Sequence, residues 1–392
     1  MKYSSILTFY RLLYTGIVVA TLLTSCKKEE GSTIPPSQKS SYAWDKFSMG
    51  ADLSYATQMA NNGYTFRDSG KVKDEFILFR DYGCNTVRIR LFVNPQTCVN
   101  GSGGTDVYAR LANVEALIAR AKALHLAVNL DLHYSDCWAD PGNQSTPAAW
   151  QSCNGDVAAM SDSVYSYTLR VLNELKSKSL VPEMIQIGNE VSNGMLWPTG
   201  KVVDSDFTSF AQLLNSGIRA VRDFSLTSTI KPKIILHCSS LDIADWWLNG
   251  IMQAGVTDFD MVGFSYYFNY LSSNSQLTNV TGVAATIRHI TEVYGKPVII
   301  VEVAYYWSGV DATGYPISFN PIVGYPYTLS GQYQFMKDFT QAVIDGGGVG
   351  VQYWAPDYQN TPWGGEMEAR ALFGFDGDAL PALNFMNSSY NF

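Results

Sequence analysis

Two glutamates in this chain stand where a carboxylate is costly. Glu190 closes the apolar run MIQIGNE, and Glu302 stands near the end of PVIIVEVA. Each run reads as a buried β-strand whose carboxylate faces a loop. Burying an ionised carboxylate costs several kcal/mol unless something pairs it or uses it. In a parallel α/β barrel the C-terminal strand ends form the active face. Two carboxylates meeting there, about 5–5.5 Å apart, are the acid/base and nucleophile of a retaining glycosidase. The competing reading is a pair of rim glutamates held by arginines for structure. It explains either residue alone equally well, but the two together favour chemistry.

Positioning them takes eight strands. FSMGAD (47–52) reads as the first, TVRIRLFV (86–93) the second and LAVNLDLH (126–133) the third. MIQIGNE (184–190), KIILHCSS, DMVGFSYY, PVIIVEVA and GVGVQYW (348–354) follow. Helical patterns lie between them: KVKDEFILFRDYG with Val72, Phe76 and Phe79 on one face, then about 111–125, 157–179 and 205–223. Strands alternating with helices imply parallel βαβ units. Eight such units predict a single (β/α)8 TIM barrel, and an open doubly wound sheet would not gather residues from so many strand ends.

Those ends carry Asp52, Arg88, Arg90, His133, Asn189, Glu190, His237, Tyr266, Glu302 and Trp354. Strand periodicity puts Arg88 and Arg90 on one face, opposite Val87, Ile89 and Leu91. Guanidinium groups inside a barrel need partners, and the rim carboxylates are the nearest source. Arg88 reads as a structural ion pair, and Arg90, closer to the rim, as the group that keeps Glu302 ionised. His133 and His237 are assigned to positioning, whereas His125 ends a helix and His289 lies within one.

The formal charge of −8 and pI near 5.0 argue against nucleic acid as a partner. With 13% aromatic and 16% charged residues, the composition suits a neutral ring-shaped ligand better than a polyanion. No Cys/His spacing suggests zinc and no glycine-rich phosphate loop occurs. Residues 1–25 read as an export signal whose apolar run is too short for a good membrane span. It ends in LTSC, which resembles a bacterial lipobox with Cys26 as the lipidated residue. KKEE and a Pro/Ser-rich linker carry the chain to residue 43, and 44–392 is the expected catalytic domain. The acidic pair resembles an outer-membrane surface-export signal, so an exported, cell-surface lipoprotein touching membrane only through its anchor is expected. Cys84 and Cys238 flank strands as buried thiols. Cys98, Cys137 and Cys153 lie in loops, where the odd count leaves pairing open and a bridge involving Cys153 is plausible.

At GADLSYATQMANNG (50–63), NTVRIRLFVNP (85–95), LDLHYSDCWADPGNQSTPAAW (130–150), IQIGNEVSNGMLWP (185–198), GFSYYF (263–268), VIIVEVAYYW (298–307) and GQYQF (331–335) the chain resembles glycoside hydrolase family 53. That family, in clan A, comprises endo-β-1,4-galactanases acting on galactan and type I arabinogalactan side chains of pectin. The resemblance runs from about 48 to 385, and the HYSDCWADPG stretch, with Asp136 and Trp138, is its most specific part. It implies a retaining barrel with Glu190 as acid/base on strand four and Glu302 as nucleophile on strand seven. Asn189 would bind the sugar 2-hydroxyl in the −1 subsite, and Tyr266 would hydrogen-bond the nucleophile. Trp307, Trp354 and Trp363 would floor the cleft, with Trp354 beneath the −1 sugar.

The chain departs from the family at SYYFNY, at EVAYYW in place of ETAYP, and at Ala355, where a Glu is common. These changes put substrate length and cleavage pattern in question rather than reaction type. No cofactor is required. Some bacterial members bind calcium after strand seven, where Asp311 and Asn320 could supply oxygens to a structural ion. A monomer with a neutral galactan substrate is expected. The alternatives are a noncatalytic surface glycan-binding protein and a clan A barrel cutting another neutral glycan such as mannan or cellulose.

Overall fold

The computed structural model describes residues 46–98, 106–271, 275–360 and 364–392. The expected export signal, Cys26, the expected linker and Trp363 lie outside the described residues. Eight parallel strands close into a barrel: β1 (Ser48–Asp52), β2 (Thr86–Leu91), β3 (Ala127–Leu132), β4 (Met184–Ile187), β5 (Lys233–Cys238), β6 (Met261–Tyr266), β7 (Val298–Val303) and β8 (Gly350–Tyr353), with β8 hydrogen-bonded to β1. Among the described residues, seven longer helices surround it: α1 (Glu75–Asp81), α2 (Leu111–Ala123), α3 (Val157–Ser177), α4 (Thr208–Ser225), α5 (Ala244–Gln253), α6 (Val280–Tyr294) and α7 (Leu329–Asp345). After β8 a 3-10 segment, Pro381–Asn387, packs beside α7 where an eighth helix would stand.

Seven of the eight barrel strands keep one parity along their length, and β7 keeps it as far as Val301. Val87, Ile89 and Leu91, like Val128, Leu130 and Leu132, join the core between barrel and helices. The alternate residues point inward. Low in the barrel these are Ala127, Met184, Ile235, Met261, Ile299 and Val301, which form an apolar plug. Above the plug the inward positions turn polar, so the strands present side chains rather than backbone to the open end.

Differences from expectation lie mostly at element edges. Val72 is not on α1. It sits in a short hairpin, Arg67–Asp68 with Lys71–Val72, and is 67% exposed. Asp74 instead starts α1, accepting the Ile77 amide at 3.1 Å. His125 falls just beyond α2 rather than ending it.

The cysteine pairing is a correction: Cys98 bonds Cys137, while Cys153 is a free thiol. The bridge ties the loop after β2 to the loop after β3, beside the specific HYSDCWADPG motif. Cys84 and Cys238 are buried thiols, as expected. Closing a loop of 39 residues' separation should stabilise the fold by about 2–4 kcal/mol. Replacing Cys98 and Cys137 by Ser should therefore lower the urea unfolding free energy by that amount. Cys153→Ser should change it by less than about 0.5 kcal/mol.

Candidate active site

Glu302 faces inward because β7 carries a bulge. The register with β6 runs Phe264 to Ile300 and then Ser265 to Glu302, skipping Val301. Without that extra residue Glu302 would share the outward face of Val298 and Ile300; with it the carboxylate turns into the barrel mouth and Val303 packs outward. Glu190 is delivered differently. β4 ends at Ile187, and Gly188 takes a left-handed φ of +82°, where a Cβ would meet Val191 Cγ1 at 2.5 Å. Glu190 itself has φ +47°, a sparsely populated conformation for a side-chain-bearing residue. Such strain is found where surrounding structure over-determines a functional residue.

One guanidinium holds the site together. Arg88 Nη1 lies 2.9 Å from Glu302 Oε1 and 2.8 Å from Asp52 Oδ2. Its Nη2 donates to Asp131 Oδ2 at 2.7 Å and to Asn189 Oδ1 at 2.8 Å, and its Nε donates to Gln186 at 3.2 Å. Arg88 is fully buried. Arg90 does not reach Glu302. It pairs with Asp106 and lies between two rings, its Cζ 4.0 Å from the Tyr55 centroid and 4.4 Å from that of Trp138. The expected order of the two arginines is therefore reversed. Arg88 is one pleat deeper on β2, registered with Asn129, but its guanidinium reaches up to Asp131 and Gln186, the residues in register with Arg90.

The tyrosine is corrected by one position. Tyr266 is on the outward face of β6, packed against Phe335 and Phe339 of α7, with its hydroxyl on the Leu277 carbonyl. Tyr267 faces in and donates to Glu302 Oε2 at 2.7 Å. Strand parity could have found it: Val262, Phe264 and Tyr266 form the apolar face, so Gly263, Ser265 and Tyr267 form the other.

Asp52 and Asn189 are both on Arg88, and the Asn189 amide also donates to the Ala139 carbonyl at 2.8 Å. His133 sits behind Asp131, at 3.0 Å. His237 contacts Gln186, Asn189, the Glu190 amide and Ser265. Trp354 stands edge-on to Tyr267, centroids 6.1 Å apart, which brings it to the nucleophile side. Asp136 serves the loops instead, accepting from Asn94, Thr97 and the Ala148 amide. Trp307 packs on Phe375 and donates to the Glu368 carbonyl, bracing the loops beyond β7 and β8. Arg370 was not anticipated. Its Cζ lies 5.5–5.8 Å from the centroids of Tyr306, Trp354 and Tyr267.

Asp311 accepts from the amides of Thr313, Tyr315 and Gly365 and from the Thr313 hydroxyl. Among the described residues no group of three His, Cys, Asp or Glu side chains converges as a metal site.

A cavity of about 460 Å³ opens on Glu190, lined also by Asp140, Pro141, Ser239, Ser240, Ser265, Tyr267, Tyr270 and Leu271. Burial pushes the Glu190 carboxyl up to about 8, with the negative Glu302 as the second cause. Burial raises Glu302 as well, but there Arg88 and the Tyr267 hydroxyl oppose it. Between the two carboxyls, the proton belongs on Glu190. The pair can therefore act as one acid and one base at neutral pH.

Residues 48–386 match the family described as Glycosyl hydrolase family 53. The chain belongs to that family. It is 35% identical to an arabinogalactan endo-β-1,4-galactanase of Cellvibrio japonicus, over 88% of this chain and 91% of that protein. With a namesake from Thermothelomyces thermophilus it shares 32% identity, over 77% and 87%. Among solved structures, the Ignisphaera aggregans GH53 catalytic domain superposes with a TM-score of 0.77 at 30% identity, covering 88% of this chain and 97% of that one. A fungal β-1,4-galactanase structure gives 0.74 at 29%, covering 88% and 99%. Within this family-53 barrel, Arg88 and not Arg90 is the residue on which Glu302 depends.

Arg88→Ala should therefore leave Asp52, Asp131 and Glu302 buried without a counter-charge and cost about 3–5 kcal/mol of stability in urea. In whatever folded fraction survives, the acidic limb of activity should move to higher pH, because nothing but Tyr267 then opposes burial of Glu302. Arg90→Ala should leave that limb in place.

Proposed function

We propose that the protein is an endo-acting, retaining β-1,4-galactanase cleaving galactan or type I arabinogalactan side chains of pectin. The observation that carries the mechanism is the unequal environment of two inward carboxyls. Glu302, ion-paired to Arg88 and hydrogen-bonded to Tyr267, is the nucleophile. It attacks the anomeric carbon as the glycosidic bond breaks, forming a β-to-α inverted galactosyl-enzyme ester. Glu190, protonated, gives its proton to the departing oxygen. In the second half Glu190 removes a proton from water, which displaces Glu302 and restores the β configuration. Asn189, held by Arg88 and the Ala139 carbonyl, meets the 2-hydroxyl of the −1 sugar in this reading, and Trp354 stacks beneath that sugar.

No cofactor takes part, since the two carboxyls supply every proton transfer and the covalent bond. The substrate is neutral: Arg88 and Arg90 are committed to carboxylates, and Arg370 is ringed by aromatic faces. The mature chain is a monomer held at the cell surface through lipidated Cys26. Support for the anchor is the LTSC motif followed by KKEE, with its pair of glutamates, and a Pro/Ser-rich linker.

Several outcomes follow. Activity on galactan should fall as pH rises through about 8, where Glu190 loses its proton, and again as pH falls far enough to protonate Glu302. Glu302→Ala should abolish turnover of every galactoside. Glu190→Ala should damage polysaccharide cleavage most and aryl galactosides with acidic phenols least. Added azide should then give a β-galactosyl azide from the Glu190 variant and an α-azide from the Glu302 variant; the opposite pattern exchanges the roles. Reducing ends should appear from galactan and not from mannan, cellulose or polygalacturonate, and comparable release from any of these three contradicts the assignment. Cys26→Ala should move activity out of the membrane fraction.

A further inference from the structure

The hydrogen bonds behind Glu190 run in one direction. The Glu190 backbone N–H lies 3.1 Å from His237 Nδ1 and can only donate, so that nitrogen is an acceptor. Gln186 agrees. Its oxygen receives the Arg88 Nε–H at 3.2 Å, so its amide nitrogen faces Asp131 at 2.7 Å and His237 Nδ1 at 2.9 Å. Asn189 Oδ1, 3.1 Å from the same nitrogen, is already the acceptor for Arg88. His237 is fully buried, and burial followed by the Arg88 charge keeps its ring neutral. A neutral ring that accepts at Nδ1 carries its hydrogen at Nε2. That hydrogen points to Ser265 Oγ at 2.9 Å, which leaves the Ser265 hydroxyl hydrogen for Glu190 Oε1 at 2.6 Å.

We propose that Ser265, oriented by His237, is a positioning residue that makes Glu190 Oε1 a permanent acceptor and reserves Oε2 for the mobile proton. This rests on Glu190 being the acid/base. No hydrogen bond engages Oε2 among the described residues, and Glu190 lines the cavity. The acid then delivers its proton from one defined oxygen, and after bond cleavage the same oxygen collects the proton from water. Ser265 is also the registered neighbour of Glu302 across β6 and β7, so the residue that orients the acid sits between the two carboxyls.

The hydroxyl also favours the ionised form of Glu190, so its removal should make the acid weaker. The other groups facing Glu190 are Glu302 on β7, Arg88 on β2, Asp140 in the loop after β3, His237 on β5 and Tyr267 after β6. All of them stay in place in a Ser265 variant. The experiment is the pH profile of kcat/KM on galactan for wild type, Ser265→Ala, Ser265→Thr and Glu190→Gln. Ser265→Ala should move the alkaline limb to higher pH with the acidic limb unmoved, and should lower kcat at least tenfold with little change in KM. Ser265→Thr, which keeps the hydroxyl, should return the limb toward wild type. If Thr is too large for the buried site, which thermal unfolding would reveal, Ser265→Cys, with its weak donor, should give an intermediate limb. An alkaline limb in Ser265→Ala that coincides with wild type overturns the positioning role. An alkaline limb that persists in Glu190→Gln with undiminished activity overturns the acid/base reading beneath it, so the two failures are distinct.

Discussion

The structure depends on the buried guanidinium of Arg88. Arg88 is surrounded by Asp52, Asp131 and Glu302, and its remaining hydrogens go to Asn189 and Gln186. Buried charges of this number survive only if each is paired and hydrogen-bonded. Against burial, Arg88 and then His133 hold Asp131 below the usual carboxylate range, so it stays ionised as part of the cluster. The cation thereby joins β1, β2, β3, β4 and β7 in one network. It lets Glu302 remain an anion, fixes Asn189 beside the reaction centre, and orients the Gln186 amide that sets the His237 tautomer. In the proposed mechanism the division of labour between the two glutamates follows from Glu302, and not Glu190, being ion-paired to this charge.

Burial and charge act together on the other carboxyl. Among the described residues Glu190 has a hydroxyl donor and no ion pair; it stands near an anion and lines the cavity where substrate displaces water. Excluding that water strengthens both the Arg88–Glu302 attraction and the penalty for ionising Glu190. The resulting acid is poised near neutrality, as proton transfer in both half-reactions requires. The left-handed backbone at Glu190 is consistent with a side chain aimed by its surroundings rather than by local preference.

Much of this was legible in the sequence, and the failures have identifiable causes. Eight apolar strand runs gave the barrel, with boundaries within a few residues, because parallel strands are buried on both faces. The two glutamates stood out because carboxylates ending such runs are rare. Choosing Tyr266 over Tyr267 was a parity error that the run Val262, Phe264, Tyr266 could have prevented. The bulge skipping Val301 had no local signal, since pairing register depends on the neighbouring strand. Arg90 was preferred over Arg88 by assuming that the higher residue on the strand meets the rim, whereas Asp106, distant in sequence from any strand end, claims it. Asp136 and Trp307 turned out to brace loops, and loop partners such as Cys98 for Cys137 are set by tertiary approach that spacing does not encode. Arg370 came from a segment without periodic pattern.

The central claim is that Glu302 forms a covalent bond to the sugar. A galactobioside carrying fluorine at C2 of the reacting residue and a dinitrophenolate leaving group slows both steps while sparing the need for an acid. Incubation followed by proteolysis and mass spectrometry should find the fluorogalactobiosyl adduct on the peptide containing VIIVEVAYYW, with fragmentation placing it on Glu302. Label on Glu190, or burst-free turnover with no adduct and an α-configured product, would contradict the account.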